Sequence, residues 1–330
     1  MTLMTDVLVI GSGMAGCRAA IAAADKGSDV ILATKKTLGG GASTYPVAEM
    51  AGYNAGDRTK INDIEGHYRD MLVAGQGMAN PTLARILAEH APDTISELEK
   101  WGVVFEKENG HYYVFQSCFA SAPRTHVVRG HGVSIVNAMI RQIKLRQNIK
   151  IVEDVVIAEL SVQNGVCCGG WGVRSDGKII KIGAKAVIIA SGGASQVFER
   201  NMNPDDVSGD GYTLAYNAGA ELINMEFMQS GVGFSYPLVN MFNGYIWAAH
   251  PKLYNNSRQM FLEKYLTPSM NSEYVMNEHR RHFPFSTSDD SKYLEIGIQK
   301  EICSGNGTSN AGIYADLRHM TDKYINSIYD

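Results

Sequence analysis

The most chemically loaded spacing in the 330-residue sequence is Gly11-Ser12-Gly13-Met14-Ala15-Gly16. Three glycines at these intervals suit a diphosphate approaching bare backbone. Gly11 permits a tight turn, Gly13 lets the main chain come close to the phosphates, and Gly16 lets a following helix pack on the preceding strand. The phosphates then meet a helix N-terminus, where unpaired N–H groups and the macrodipole favour negative charge. A second glycine-rich run, Leu38 to Thr44, follows within a few residues. It offers more backbone N–H groups to the same ligand, or it serves as a flexible connector. Ala190-Ser191-Gly192-Gly193 and Ser208-Gly209-Asp210-Gly211 repeat the small-residue pattern far along the chain.

Strand, turn and helix must hold the first of these loops. Val7 to Ile10 is a short aliphatic run, Arg18 to Lys26 is Ala-rich and helical, Gly27 ends it, and Asp29 to Ala33 reads as a second parallel strand. After such a strand a nicotinamide site wants a carboxylate for a ribose hydroxyl. Thr34-Lys35-Lys36 stands there instead, which favours FAD. The candidate cofactor-binding residues are Gly11, Gly13, Met14, Ala15, Gly16, Thr34, Lys35, Lys36, Gly40, Gly41, Ala42, Ser43, Val156, Ala190, Ser191, Gly192 and Asp210.

An insert runs from about Ala51 to His126, with a helix at Thr82 to Trp101 whose Leu83, Ile86, Leu87, Ile95, Leu98 and Trp101 recur at near-helical spacing and are expected in the core. Arg129-Gly130-His131-Gly132 precedes a helix at Val133 to Leu145. His126 and His131 flank Arg129 and read as satisfied structural histidines. Ile149 to Leu160, Val166 to Val173 and Ile179 to Ile182 read as successive strands with hairpin turns between them, forming a small antiparallel sheet. Ala186 to Ile189 is a buried parallel strand that delivers its small-residue end to the carboxyl edge of the main sheet, where ligands of open α/β folds bind. Asp210 then caps the helix Tyr212 to Gly219 or contacts a ribityl hydroxyl. The expected fold class is α/β: a Rossmann-like FAD-binding domain with a parallel sheet plus a small antiparallel sheet.

Composition narrows the function classes. Hydrophobic residues make up 45% and charged residues 19%, the balance of an ordinary globular chain. The net charge of −4 and the absence of basic clusters interleaved with aromatics argue against nucleic acid. Five cysteines without CxxC spacing suggest neither a disulfide framework nor a zinc site, so no metal is expected and a reducing cytoplasmic location is. The N-terminus lacks the marks of a signal peptide, and no apolar run reaches the roughly 20 residues of a membrane span, so direct insertion is not expected.

In order along the chain, Gly11–Gly16, Thr34-Lys35, Gly39–Ser43, Ala190–Gly193, Ser208–Gly211, Glu226-Phe227-Met228-Gln229 and Tyr314-Ala315-Asp316-Leu317 resemble the fumarate reductase/succinate dehydrogenase flavoprotein family, which includes L-aspartate oxidase. The resemblance implies an FAD domain over residues 1–232 and a partial α+β capping domain, mobile and substrate-binding, over residues 233–330. It implies an FAD-dependent oxidoreductase moving a hydride between flavin and a small, carboxylate-bearing substrate. A flavin-binding electron-transfer subunit resembling the adenylylsulfate reductase alpha chain, working with an iron–sulfur partner, is the alternative. A nicotinamide-dependent dehydrogenase is disfavoured.

The sequence also departs from the family. Gln229 is followed by Ser230-Gly231-Val232-Gly233-Phe234 where the family has Phe-His-Pro-Thr-Gly. Ser291 stands where the family's proton-donating arginine aligns, and Arg258-Gln259-Met260-Phe261 replaces Gly-Glu-Arg-Phe. Ser43 and Thr44 stand where covalent members carry a histidine, so the FAD is expected to be noncovalent. No residue is assigned as catalytic. Arg280, Arg281 and His282 are the candidates for a carboxylate-binding cationic cluster, a solvated face being the alternative. His250 and Arg258 read as loop residues. Against this family the chain reads as a C-terminal truncation, with Thr321 to Tyr329 an unfinished helix.

Overall fold

A computed structural model describes residues 1–45, 52–242, 244–282, 286–322 and 324. The chain divides into two compact units, residues 1–116 with 121–225, and residues 226–330 with 117–120. The expected first residue of the insert, Ala51, lies outside the described residues, as do 323 and 325–329 of the run Thr321 to Tyr329.

The first unit is organised by one six-stranded sheet. Its strands are β1 (Thr2–Ile10), β2 (Val30–Ala33), β3 (Ile149–Val152), β4 (Val156–Gln163), β5 (Val166–Val173) and β6 (Ile179–Ile189), in spatial order β3-β2-β1-β6-β5-β4. The first four in that order are parallel, and β5 and β4 complete the sheet antiparallel. The runs Ile179–Ile182 and Ala186–Ile189, expected as separate strands, are one strand. β6 pairs with β1 along its length and with β5 over its first half, so the antiparallel hairpin is continuous with the parallel sheet.

Alternation along the strands explains the two apolar layers. Val7 and Val9 of β1, with Val30 and Leu32 of β2, face helices α1 (Met14–Asp25), α3 (Pro81–Lys100) and α4 (His131–Lys144). Leu8, Ile10, Ile31 and Ala33 point the other way, onto Val155, Ile157, Ile182 and Leu214. With both faces covered, the central strands read as uninterrupted aliphatic runs.

Register decides where the loops go. Ile10 is level with Ala33 on one side and Ile189 on the other, and Ala33 is level with Val152. The ladder runs one step further: Gly11 N–H donates to Ala33 C=O (2.8 Å), Ala190 N–H to Ile10 C=O (2.7 Å) and Thr34 N–H to Val152 C=O (2.9 Å). Three strands therefore end together, and their loops leave from one edge.

The insert holds α2 (Asp63–Ala74) and α3. Arg124 is buried and binds Asp63 and Asp70 of α2 at 2.7 Å each, tying the end of the insert to its first helix. The expected core stripe of α3 is corrected by the structure. Leu83, Ile86 and Leu87 are exposed, and the helix packs through Ala84, Ala88, Ala91, Ile95 and Leu98. Alanines bring the helix axis closer to its neighbours than leucines would, so the smaller residues win the inner face.

The second unit packs Phe242, Trp247, Leu253, Phe261, Leu262, Val275, Met276 and Leu294 into its own core. Strands β7 (Lys252–Tyr254) and β8 (Tyr314–Asp316) pair antiparallel. Two helices follow the chain between them, α6 (Ser272–His279) and α7 (Lys292–Glu301). Asn271 caps α6 by accepting from Tyr274 N–H at 2.8 Å. Within this unit Phe119 stacks on His282, their ring centroids 5.0 Å apart.

Candidate functional site

The converging loops line a cleft of about 230 Å³ at the carboxyl edge of the sheet in the first unit. Gly11, Ser12, Gly13, Met14 and Ala15 form one wall, Thr34 and Lys35 a second, and Gly40, Gly41, Ala42 and Ser43 a third. Ala190, Ser191 and Gly192 continue β6 into the cleft, and Asp210 enters from helix α5 (Asp210–Asn217). Val156 lies at the start of β4 and also lines it. Two of the sequence candidates stand outside this lining. Gly16 is buried where α1 crosses β1, and Lys36 forms an ion pair with Asp205.

The first glycine turn is shaped by contact as well as by conformation. Gly11 has φ +103°, and a β-carbon there would run into the Ala190 carbonyl. One on Gly16 would strike the carbonyl of Gly11. Both contacts are with backbone, which cannot rotate away, so the close approach of α1 to the β1–β6 pair excludes every larger side chain.

The helix this turn releases presents free donors. The first i→i−4 bond of α1 runs from Cys17 N–H to Gly13 C=O (2.9 Å), leaving the preceding amides without intrahelical partners. Met14 N–H donates to Ser43 Oγ at 3.1 Å, which draws the second glycine loop onto the helix end. Burial pushes the Cys17 thiol up to about 11, so at neutral pH it is a packing group.

Charge is placed at the opposite wall. Lys35 ion-pairs with Asp210, donates to Ser208 Oγ (2.6 Å) and reaches Asp206 C=O (3.3 Å). Of the two sequence readings of Asp210, capping is not the observed one: Gly209 is the N-cap of α5, and the Asp210 carboxylate accepts from Lys35 and from Ser208 Oγ (3.0 Å).

Several lining residues were missed by sequence reasoning. Ser12 is buried at the centre of the loops, and Val155, Ile157, Val207 and Leu214 supply an apolar wall from distant parts of the chain. For Ser12 the spacing itself held the clue, a hydroxyl between the two glycines of the turn. The aliphatic residues had none, because nothing local distinguishes a cleft-lining valine from a core valine.

The expected cationic cluster in the second unit is not formed. Arg280 and Arg281 are exposed, the latter paired with Glu278 (3.1 Å). His282 turns inward, 3.0 Å from Asp289 Oδ2 and 3.2 Å from Ser291 Oγ, and stacks beside the buried His279. A helix C-terminus separates the three side chains: Arg280 follows α6 directly, and the chain turns before His282. Ser291 is fully buried. His126 binds backbone carbonyls of Tyr53 (3.2 Å) and Arg124 (3.0 Å), and His250 contacts Asn277 Oδ1 (3.0 Å). His131 and Arg129 are exposed, Arg129 pairing with Glu106 (2.7 Å). Arg258 lies over the Tyr314 ring, 3.8 Å from its centroid.

Residues 6–240 match the FAD binding domain family. This chain belongs to that family. Among its relatives, an uncharacterised FAD-dependent oxidoreductase of Methanocaldococcus jannaschii is 33% identical over 334 residues, covering 98% of this chain and 56% of the relative. One subunit of the fumarate reductase (CoM/CoB) of Methanothermobacter marburgensis is 29% identical, covering 97% of this chain and 56% of its own length. Mycobacterium smegmatis Sdh1, solved in complex with UQ1, superposes with a TM-score of 0.82 at 25% identity, covering 99% of this chain and 55% of Sdh1. The chain thus spans about half the length of these relatives. The geometry fits the family's cofactor: main-chain donors at the α1 N-terminus, and a turn whose glycines a β-carbon would fill. No helix among the described residues is long and apolar enough to cross a membrane.

Proposed function

We propose that this chain is the FAD-binding part of an FAD-dependent oxidoreductase of the fumarate reductase/succinate dehydrogenase flavoprotein type, acting on a small, carboxylate-bearing substrate. The observation that carries this reading is the shared cleft: Gly13, Gly40, Ser191 and Asp210 lie far apart in sequence and line one cavity. Gly13 and Ala15 would offer backbone amides to the pyrophosphate at the α1 N-terminus, beside Met14, whose N–H is held by Ser43. Lys35 and Thr34 would face the adenosine end, and Ala190 to Gly192 with Asp210 the ribityl chain. Bound there, FAD supplies hydride chemistry. The residues around it position it, shield it from water and set its electrostatic surroundings.

Ser43 and Thr44 offer no side chain for a covalent flavin link, so this reading makes the cofactor noncovalent. Residues 226–330 are assigned as part of a capping domain that binds substrate. With Arg280 and Arg281 exposed and Ser291 buried, none of the described residues is assigned as proton donor. That observation favours a second reading, a flavin-binding electron-transfer subunit like the adenylylsulfate reductase alpha chain, passing electrons to an iron–sulfur partner. The five cysteines form no disulfide among the described residues, which accords with a reducing, cytoplasmic setting.

Anaerobic titration of the flavin-loaded, chemically reduced protein with unsaturated dicarboxylates separates the readings. Reoxidation by a dicarboxylate supports the first. Reoxidation only by one-electron acceptors supports the second.

A further inference from the structure

We infer that Ser12 and Thr34 form a polarised hydroxyl relay that makes Thr34 a hydrogen-bond donor to the bound dinucleotide, at the place where a nicotinamide site carries an accepting carboxylate. The inference rests on the FAD reading above and assigns a specificity-determining residue within that site.

The direction of the relay follows from the hydrogen-bond geometry. Gly39 N–H, which can only donate, points to Ser12 Oγ at 3.0 Å. Ser12 has one hydroxyl proton, and it goes to Thr34 Oγ1 at 2.9 Å. Thr34 has already satisfied its backbone: its N–H donates to Val152 C=O (2.9 Å), and its C=O accepts from Val155 N–H (3.0 Å). One lone pair of its hydroxyl oxygen accepts from Ser12, and its own O–H is left to donate. Thr34 is 7% exposed and lines the cleft, and its Oγ1 has no other hydrogen bond among the described residues. A buried donor without a partner costs about 1–3 kcal/mol, so the site is completed by a ligand that brings an acceptor there.

Two consequences follow. Chains of hydrogen bonds polarise one another, so Gly39 and Ser12 strengthen the Thr34 donor. Ser12 also fixes the distance between the first and second glycine loops, because its single oxygen bonds both Gly39 and Thr34 while its backbone belongs to the first turn. The ligand that suits this wall presents phosphate or ribose oxygens as acceptors, next to the Lys35 ammonium. A ribose offering only hydroxyl donors finds no carboxylate there.

The test measures FAD dissociation from the full chain after dilution, in the wild type and in Thr34→Val, Thr34→Ser, Ser12→Ala and the Ser12→Ala/Thr34→Val double variant. Thr34→Val is expected to release FAD about tenfold faster, the worth of one hydrogen bond. Thr34→Ser, which keeps the hydroxyl, should release at close to the wild-type rate. Ser12→Ala should fall between them, and the double variant should be no faster than Thr34→Val alone, because both changes cut one relay. Release from Thr34→Val at the wild-type rate, release from Thr34→Ser as fast as from Thr34→Val, or additive effects in the double variant would overturn the relay while leaving FAD in place. If Thr34→Val does not fold, Ser12→Ala carries the test from the other end. A wild-type chain that takes up no FAD overturns the reading beneath the relay as well.

Discussion

Gly16 lies so close to Gly11 that a β-carbon on Gly16 would overlap the Gly11 carbonyl oxygen. This contact sets how near α1 comes to β1, and so where the helix N-terminus points. Gly16→Ala should therefore lower stability by about 3 kcal/mol, at the upper end for overpacking a tight interior. Gly27→Ala is the control: Gly27 has φ +86° with nothing near its missing side chain, so about 1 kcal/mol is expected from backbone strain alone. Urea unfolding of both variants checks the difference, and equal losses would mean that the close contact is not what Gly16 supplies.

Gly13 separates binding from folding. Its φ of −66° suits any residue, and a β-carbon there would lie 3.1 Å from Ser43 Oγ, a side chain that can rotate. Gly13→Val is expected to fold with a loss of about 1 kcal/mol or less and to retain no FAD, because the branched side chain stands between the α1 amides and the pyrophosphate. Cofactor retention on a desalting column, read beside the far-ultraviolet circular dichroism, decides the matter.

The outer face of α3 is predicted to tolerate charge. Leu83→Lys and Leu87→Lys should each change stability by no more than about 0.5 kcal/mol, as exposed helix positions do. Ala88→Leu, on the inner face, should cost about 2 kcal/mol or more, because Ala88 is fully buried. Thermal unfolding of the three variants would reverse this order if the leucines were the packed residues.

Acid sensitivity of the second unit centres on Glu301, whose side chain is fully buried. Burial alone would raise its carboxyl. Hydrogen bonds from Lys264, Tyr265 (2.7 Å) and Asn255 (3.1 Å) outweigh it and hold the group at about 2, below its ordinary 4.5. A group whose folded value lies below its unfolded one stabilises the fold above the unfolded value. That stabilisation is present above pH 4.5 and is lost as pH falls from there toward about 2. Glu301→Gln should flatten this acid limb, and Glu301→Leu should cost about 3 kcal/mol at neutral pH by stranding its donors. Unfolding of the second unit followed against pH checks both.

How much of the fold and the site is legible in the sequence depends on whether the signal is local. The β1-turn-α1-β2 unit announces itself, because glycine spacing, an aliphatic run and an Ala-rich helix sit side by side. The continuity of β6 does not: Gly183 interrupts the aliphatic pattern, and the strand runs through it because Met4 on one side and Gly169 on the other are its paired neighbours. On α3 the heavier residues suggest the wrong inner face, since periodicity marks a stripe without saying which of two stripes packs. Arg280, Arg281 and His282 are adjacent in sequence yet differ in burial, because the chain turns at the end of α6. Val207 and Leu214 enter the cleft through tertiary packing, for which a single sequence carries no pattern.

The proposed wrapping of one dinucleotide by loops from β1, β2, β6 and α5 underlies the whole assignment. Its most direct test is the identity and amount of the cofactor carried by the purified chain, released by acid and separated chromatographically. FAD is expected, released intact without proteolysis and approaching one per chain after reconstitution. A chain that binds a nicotinamide dinucleotide in its place, or that binds no FAD when supplied in excess, would contradict it.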